Sequence, residues 1–270
     1  MDPIFSQSFF LSAGETNAES ELSLPLLMSK IIDIATAHAN SLGIGNPAME
    51  HLGCGWVLSR VAVEMQSYPR VNESYTLTTW VESWNRHFSV RNFSIINQEG
   101  VTVGYATSVW MVLNTTTREN FGLAHLRLPE EMICGEKIPI RPVGKHLNII
   151  DAATGAETPK GTLLSTEAPF EYTFRYTDLD FYRHVNTVRY VSMLLNRFSL
   201  NDMDTHVVRR LELSFLRECR YGETVLLRRH DDGLHTSFAL SAAPGASDGA
   251  ELPAAPALFA VVERVPRSFS

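Results

Sequence analysis

The chain has 270 residues, 44% of them hydrophobic and 20% charged, with 23 basic against 30 acidic side chains and a formal charge of -7. That length allows one large or two ordinary domains with sizeable cores, and 16 Gly with 13 Pro exclude collagen-like and globally disordered classes. The acidic balance excludes a general nucleic-acid binder, because phosphates reward Lys and Arg.

The opening stretch MDPIFSQSFFLSAGE lacks the basic and long apolar regions of a secretory signal, so none is expected there. No apolar run reaches the ~18 residues that a bilayer span needs, so no membrane partner is expected. Residues 22–40 place Leu27, Ile31, Ile34, Ala35 and His38 at helical spacing, which predicts a helix with a core histidine. A polar, Gly-rich loop is expected over 41–53. The period then changes to two. Strands are predicted over 55–66, 74–84, 89–97 and 101–113, the last with Val101, Val103, Tyr105, Val109, Met111 and Leu113 on its apolar face.

The same order returns further on. A short strand is predicted over 170–176 and a helix over 185–199, with Val188, Val191, Leu195 and Phe198 inward. Strands follow at 207–216, 223–230, 234–242 and 257–265, with a hairpin turn at Asp231-Asp232-Gly233. The Ala/Pro/Gly-rich stretch 243–256 reads as a flexible loop. Shifting the chain on itself by 150 positions lays Arg60 on Arg210, Val61 on Leu211, Val63 on Leu213, Met65 on Phe215, Arg70 on Arg220 and Glu73 on Glu223. The two Arg pairs and the Glu pair in one register point to a duplicated unit. The fold class expected is α+β: two tandem units, 1–150 and 151–270, each a central helix wrapped by a curved antiparallel sheet, paired as a pseudo-dimer. The boundary is placed within 141–168.

Three cysteines, Cys54, Cys134 and Cys219, are too few for a disulfide framework, which suits a reducing compartment; the cytoplasm is expected. Trp56, Trp80, Trp84 and Trp110, with Met28, Met49, Met65 and Met111, read first as core. Chemistry concentrates in Tyr176–Asn186, where a strand ends and a helix begins. Asp178, Asp180, His184 and Asn186 lie together, His184 is the natural proton carrier near neutral pH, and the first-turn amides of the helix are candidate oxyanion donors. The plainer reading makes Asp178 or Asp180 a turn cap.

The string D-L-D-F-Y-R-H-V-N-T-V-R-Y resembles the catalytic segment of the acyl-acyl-carrier-protein thioesterases, which runs close to D-L-D-x-N-x-H-V-N-N-x-x-Y in a double hotdog fold. L-E-L-S-F-L-R-E-C-R-Y-G-E-T-V, within 205–226, is similar to a second stretch of that family. W-V-L-S-R-V-A-V-E-M-Q-S-Y-P (56–69), T-W-V-E-S-W (79–84), R-N-F (91–93), A-T-S-V-W-M-V-L-N (106–114) and T-R (117–118) resemble its first hotdog. The resemblance covers roughly Leu24 to Val265. It implies hydrolysis of the thioester between a fatty acyl chain and the carrier's phosphopantetheine arm, with the acyl chain in the first hotdog and catalysis in the second. By position it implies Asp180, His184 and Glu218 as functional residues, and Cys219 as a candidate nucleophile. Tyr182 stands where the family has Asn, which leaves Tyr182, Asn186 or a backbone amide to hold the thioester carbonyl or the water.

Two routes stay open at this point. Glu218 acts as general base on water with His184 assisting and Asp180 orienting, or Cys219 attacks after activation by His184. The water route is favoured. No metal, nucleotide or redox cofactor is implied. The expected partner is an acyl carrier protein, met by arginines gathered between Arg183 and Arg229, and the chain is a monomer or a homodimer. The alternatives are an acyl-CoA thioesterase, a hotdog dehydratase, and a non-catalytic acyl-binding module.

Overall fold

The computed structural model describes residues 2–126, 130–144, 167–244 and 256–267. Most of the predicted boundary stretch 141–168 and most of the predicted loop 243–256 lie outside these. The chain divides into two compact units, Met1–Pro142 and Val143–Ser270.

The first unit contains β1 (Ile4–Phe10), α1 (Leu24–Ser41), α2 (Asn46–His51), β2 (Cys54–Met65), β3 (Ser74–Trp84), β4 (Ser89–Asn97) and β5 (Thr102–Asn114). Its strands lie in the order β1-β3-β4-β5-β2, and their pairings are antiparallel. The second unit contains β6 (Phe170–Thr173), α3 (Thr187–Leu195), α4 (Leu200–Thr205), β7 (His206–Phe215), β8 (Thr224–Asp232), β9 (His235–Ala242) and β10 (Leu258–Pro266). There the order is β6-β8-β9-β10-β7, again antiparallel. Strand for strand the two orders match. The α+β architecture of a helix and an antiparallel sheet thus occurs twice.

Helix α1 forms because Ser23 caps its start, accepting from the Leu26 amide at 3.4 Å, and Pro25 sits in the first turn. Leu24, Leu27, Met28, Ile31, Ile34, Ala35 and His38 are buried, and the helix lies against β1 and β3. Bulges between Leu58 and Arg60 and between Val81 and Ser83 increase the local bend of the sheet. Where β2 and β5 pair, Gly104 admits the Met65 sulfur, which a Cβ would meet at 2.3 Å.

Several expectations need correction. The stretch 41–53 is not all loop: Pro47 starts α2, whose Met49 closes a satellite core with Cys54, Val112 and Leu123. Strand β1 was not foreseen. It is an edge strand in which only Phe5 and Phe9 alternate inward among polar neighbours, and its pairing with β3 is what defines it. In β5 the apolar odd series is mostly half-buried, and the even residues Ala106, Ser108 and Val112 are fully buried, because small side chains let the sheet lie close to its cover. The predicted helix 185–199 ends at Leu195, and Ser199 caps a second helix, α4. Its inward face is Tyr190, Val191, Met193 and Leu194, with Val188 and Leu195 only half-buried. The β8–β9 turn is Gly233-Leu234: Asp231 and Asp232 belong to the strand, and Gly233 takes a φ of 62°.

Candidate active site

Two short segments of the second unit build the site. The first is the loop from Leu179 to Asn186, which leads into α3. Asp180 folds it: its Oδ1 accepts from the amides of Tyr182 (2.9 Å) and His184 (3.1 Å). Its own amide donates to the His184 carbonyl, and the Arg183 amide donates to the Asp180 carbonyl. The loop turns through Arg183 at a φ of 64°, a left-handed conformation that costs a side-chain-bearing residue about 1–3 kcal/mol and persists only when its surroundings hold it. The second segment, Leu216–Glu223, follows β7. The Val185 amide donates to the Cys219 carbonyl at 2.9 Å, and His184 bridges to Arg220. Main-chain pairing thereby lays the two segments side by side.

The consequence is one contact. His184 Nε2 lies 3.2 Å from Glu218 Oε2, with the two side chains 20% and 28% exposed. The pair is thus partly shielded yet open to a substrate. Arg217, next to Glu218, points elsewhere: it pairs with Glu223 and donates to the Glu218 carbonyl.

Asp180 reaches His184 through the main chain; it sets the loop rather than meeting the imidazole in these hydrogen bonds. Asp178 is buried and caps a turn, accepting from the Arg175 amide (2.7 Å) and the Tyr172 hydroxyl (3.0 Å). The capping reading therefore holds for both aspartates. Asn186 is the N-cap of α3: its Oδ1 accepts from the Val188 amide at 3.0 Å, and its carbonyl from the Arg189 amide. These two first-turn amides therefore already have acceptors within the cap. Tyr182 is exposed, its ring 4.0 Å from that of Phe181.

Cys219 is fully buried. Burial pushes its thiol up, away from the thiolate that a nucleophile needs, although a hydrogen bond with the Tyr190 hydroxyl pulls the other way. Tyr190, buried on α3, is raised in turn, first by burial and then by Cys219. Tyr190 is the site-supporting residue that sequence reasoning missed. Its position was marked all the same, since it is the closing Tyr of the D-L-D-x-N-x-H-V-N-N-x-x-Y pattern, but its helical spacing gives it no role beyond the core. Cys54 is buried in the satellite core of the first unit, and burial pushes its thiol up as well.

A second missed feature is the twin of this loop. In the first unit Asn17 stands where Asp180 stands. Its Oδ1 accepts from the amides of Glu19 (3.2 Å) and Glu21 (2.8 Å). Its amide donates to the Glu21 carbonyl, and the Ser20 amide donates to the Asn17 carbonyl. Ser20 takes a φ of 62°, and the Leu22 amide donates to the Pro69 carbonyl. Glu15 caps Ser12 as Asp178 caps Arg175. Glu21 thus occupies the place of His184, Tyr68 that of Glu218 and Pro69 that of Cys219. A shift of 163 positions aligns these loops, whereas 150 aligns the strands, because the stretch between loop and strand is shorter in the second unit by 163 − 150 = 13 residues. An ungapped comparison in one register cannot show both.

With this geometry in view, the comparisons with known proteins are specific. The family models described as the acyl-ACP thioesterase N-terminal domain and C-terminal domain match residues 2–125 and 164–258, together most of the chain. The chain belongs to the acyl-ACP thioesterase family. A palmitoyl-acyl carrier protein thioesterase of the chloroplast from Gossypium hirsutum is 29% identical over 231 residues, 80% of this chain and 52% of the relative. An oleoyl-acyl carrier protein thioesterase of the chloroplast from Arabidopsis thaliana is 23% identical over 235 residues, 82% of this chain and 61% of the relative. The chain spans about half the length of the first of these curated relatives. Among solved structures, an acyl-ACP thioesterase from Bacteroides thetaiotaomicron superposes with a TM-score of 0.83 at 24% identity, covering 97% of this chain and 98% of its own. The 12:0-ACP thioesterase from Umbellularia californica superposes with a TM-score of 0.80 at 18% identity, covering 99% of both chains. The fold they share is the tandem hotdog.

Proposed function

We propose that the protein hydrolyses the thioester of a fatty acyl-acyl carrier protein, releasing the free fatty acid, with the acyl chain held by the first unit and the reaction carried out by the second. The observation that carries the reading is the contact between His184 and Glu218 at 3.2 Å, two residues distant along the chain and joined by main-chain pairing. Membership of the family supports the same reading.

In the mechanism that follows, Glu218 takes a proton from water, and the oxygen attacks the thioester carbonyl. The tetrahedral intermediate collapses with cleavage of the carbon–sulfur bond. A thiol has a pKa of about 8.5, so the thiolate leaves readily and needs little acid assistance. His184, hydrogen-bonded to Glu218, fixes that carboxylate and relays the proton to the departing sulfur. Asp180 positions His184 by holding its amide. A buried thiol kept from ionising argues against the route through Cys219. The reaction balances as thioester and water giving acid and thiol, and needs no redox partner.

The test is free-thiol release from carrier-bound acyl chains of graded length. Turnover by the wild type and its loss in His184→Ala and Glu218→Ala are expected. Enoyl product without thiol would select a dehydratase, and tight acyl-thioester binding without turnover a non-catalytic module. Faster turnover of the CoA thioester would make CoA the physiological carrier.

A further inference from the structure

The rim around His184 differs from its twin in a way that the fold does not require. Three exposed segments border the pair: Arg175-Tyr176-Thr177, Phe181-Tyr182-Arg183 and Arg220-Tyr221-Gly222. They are held side by side, since Gly222 donates to the Phe174 carbonyl and His184 bridges to Arg220. Tyr176 is 83% exposed, Phe181 76%, Tyr221 65% and Tyr182 45%. Single exposed aromatics are ordinary, but a cluster with arginine between the rings is the composition of a protein interface. The acids close by are already engaged: Glu218 with His184, Glu223 with Arg217, Asp178 with its cap, and Asp180 inside the loop.

The equivalent backbone in the first unit carries Ser12-Ala13-Gly14, Ala18-Glu19-Ser20 and Arg70-Val71-Asn72. Its turns are closed by the same bonds, from the amides of Glu15, Ser20 and Glu73 to the carbonyls of Ser12, Asn17 and Arg70, matched by those from Asp178, Arg183 and Glu223 to Arg175, Asp180 and Arg220. The same loops therefore form without aromatics and without a net positive charge. Four aromatic rings and three arginines on the second rim serve something other than folding.

Resting on the thioesterase reading, we propose that this rim is the docking surface for an acidic acyl carrier protein, with Arg175, Arg183 and Arg220 meeting its carboxylates and Tyr176, Phe181 and Tyr221 covering its apolar patches. The protein as a whole is acidic, with a formal charge of -7. Attraction of an acidic partner therefore requires a local positive patch beside the site, where it steers the approach. A carrier docked there presents its thioester arm at His184 and Glu218.

The experiment compares Arg220→Glu with Arg70→Glu, equivalent positions with the same change of charge, alongside Phe181→Ser with Tyr221→Ser. Two readouts are taken. One is the affinity for an acyl carrier protein whose acyl chain is attached through an amide and cannot be hydrolysed. The other is thiol release from the same acyl chain on carrier protein, on CoA and on pantetheine. Arg220→Glu is expected to weaken carrier binding about tenfold or more and to lower carrier turnover in parallel, with the pantetheine thioester within about twofold of wild type. Arg70→Glu is expected to change neither. The aromatic variants are expected to weaken carrier binding without altering its salt dependence. Equal effects of Arg220→Glu and Arg70→Glu, or unchanged carrier binding in both, overturn the proposal. So does a loss confined to the CoA thioester, which would assign the rim to a nucleotide. A wild type that binds the amide-linked carrier through the rim yet releases no thiol would leave docking standing and remove the hydrolase reading.

Discussion

The loop leading into α1 and the loop leading into α3 share their main-chain hydrogen bonds, their left-handed residue and their capping acid, yet one carries Glu21 and Tyr68 where the other carries His184 and Glu218. The comparison separates scaffold from chemistry. A side-chain oxygen at Asn17 or Asp180 that accepts from two amides is what the loop needs, and a carboxamide serves as well as a carboxylate. What sits on the folded loop is then free to differ. The second copy alone combines an imidazole, a facing carboxylate and an aromatic rim.

The sharpest way to break this comparison is to remove His184, Glu218 and their counterparts in turn. His184→Ala and Glu218→Ala should each lower kcat by about 10²–10⁴-fold in a thiol-release assay, the usual worth of a positioned acid or base. Tyr68→Ala should leave kcat within about twofold. A large loss in Tyr68→Ala would place chemistry in both loops.

Asp180 tests the scaffold itself. Asp180→Ala leaves two amides without their acceptor and should cost about 2 kcal/mol of stability, with a fall in kcat as His184 loses its position. Asp180→Asn should keep the melting temperature close to wild type, because Asn17 already does this work in the twin. If Asp180→Asn melts normally but turns over poorly, the negative charge matters to His184 as well as the geometry. Asn17→Ala should destabilise by a similar amount with unchanged kcat.

Cys219→Ala should retain most activity and lose about 1–3 kcal/mol of stability, through a small cavity and a lost partner for the buried Tyr190 hydroxyl. Intact-mass measurement during turnover should find no acyl adduct on the wild type. An adduct at Cys219 would restore the nucleophile route. Ser23→Ala and Asn186→Ala should each cost about 1 kcal/mol in thermal unfolding, as helix caps do. A selective loss of kcat in Asn186→Ala would show that its amide also touches substrate.

The smallest effect concerns pH. His38 is fully buried, stacks on Phe5 and accepts from Arg91 at Nδ1 (2.9 Å), since a guanidinium cannot itself accept. Burial, then Arg91, holds it below the usual histidine range. The unfolded chain therefore binds the proton more readily than the folded one. The stability that neutral His38 contributes is present above about pH 6.5 and is lost as pH falls from there towards its folded pKa. His38→Gln should flatten that slope in denaturant titrations between pH 5 and pH 7, and lower stability at pH 8, where the contacts of neutral His38 contribute in full.

The periodic segments were legible because burial on one side imposes a period. The apolar face of α1 and the alternation in β7 are written in consecutive residues, and Leu211 and Leu213 are buried as their spacing demands. The short edge strand β1 was not legible, because a strand of polar and exposed residues is defined by its partner rather than its pattern. The inward face of α3 was misjudged for a related reason. The helix ends at Leu195, so its orientation is set by Tyr190, Val191 and Leu194 against the sheet.

The amino-acid sequence by itself determined the repeated order of helix and strands, the cluster of ionisable residues before α3, and the family to which the chain belongs. These follow from local periodicity and from residue types at fixed spacing. Only the tertiary structure decided that His184 meets Glu218, that Cys219 faces Tyr190, that Asp180 and Asn186 spend their side chains on main-chain amides, and that the first unit holds a twin of the loop with Glu21 and Tyr68 in the places of His184 and Glu218. Each of these is a distance between groups remote along the chain or a choice among hydrogen-bond partners. Such choices are settled by main-chain pairing across segments, which no single window of sequence contains.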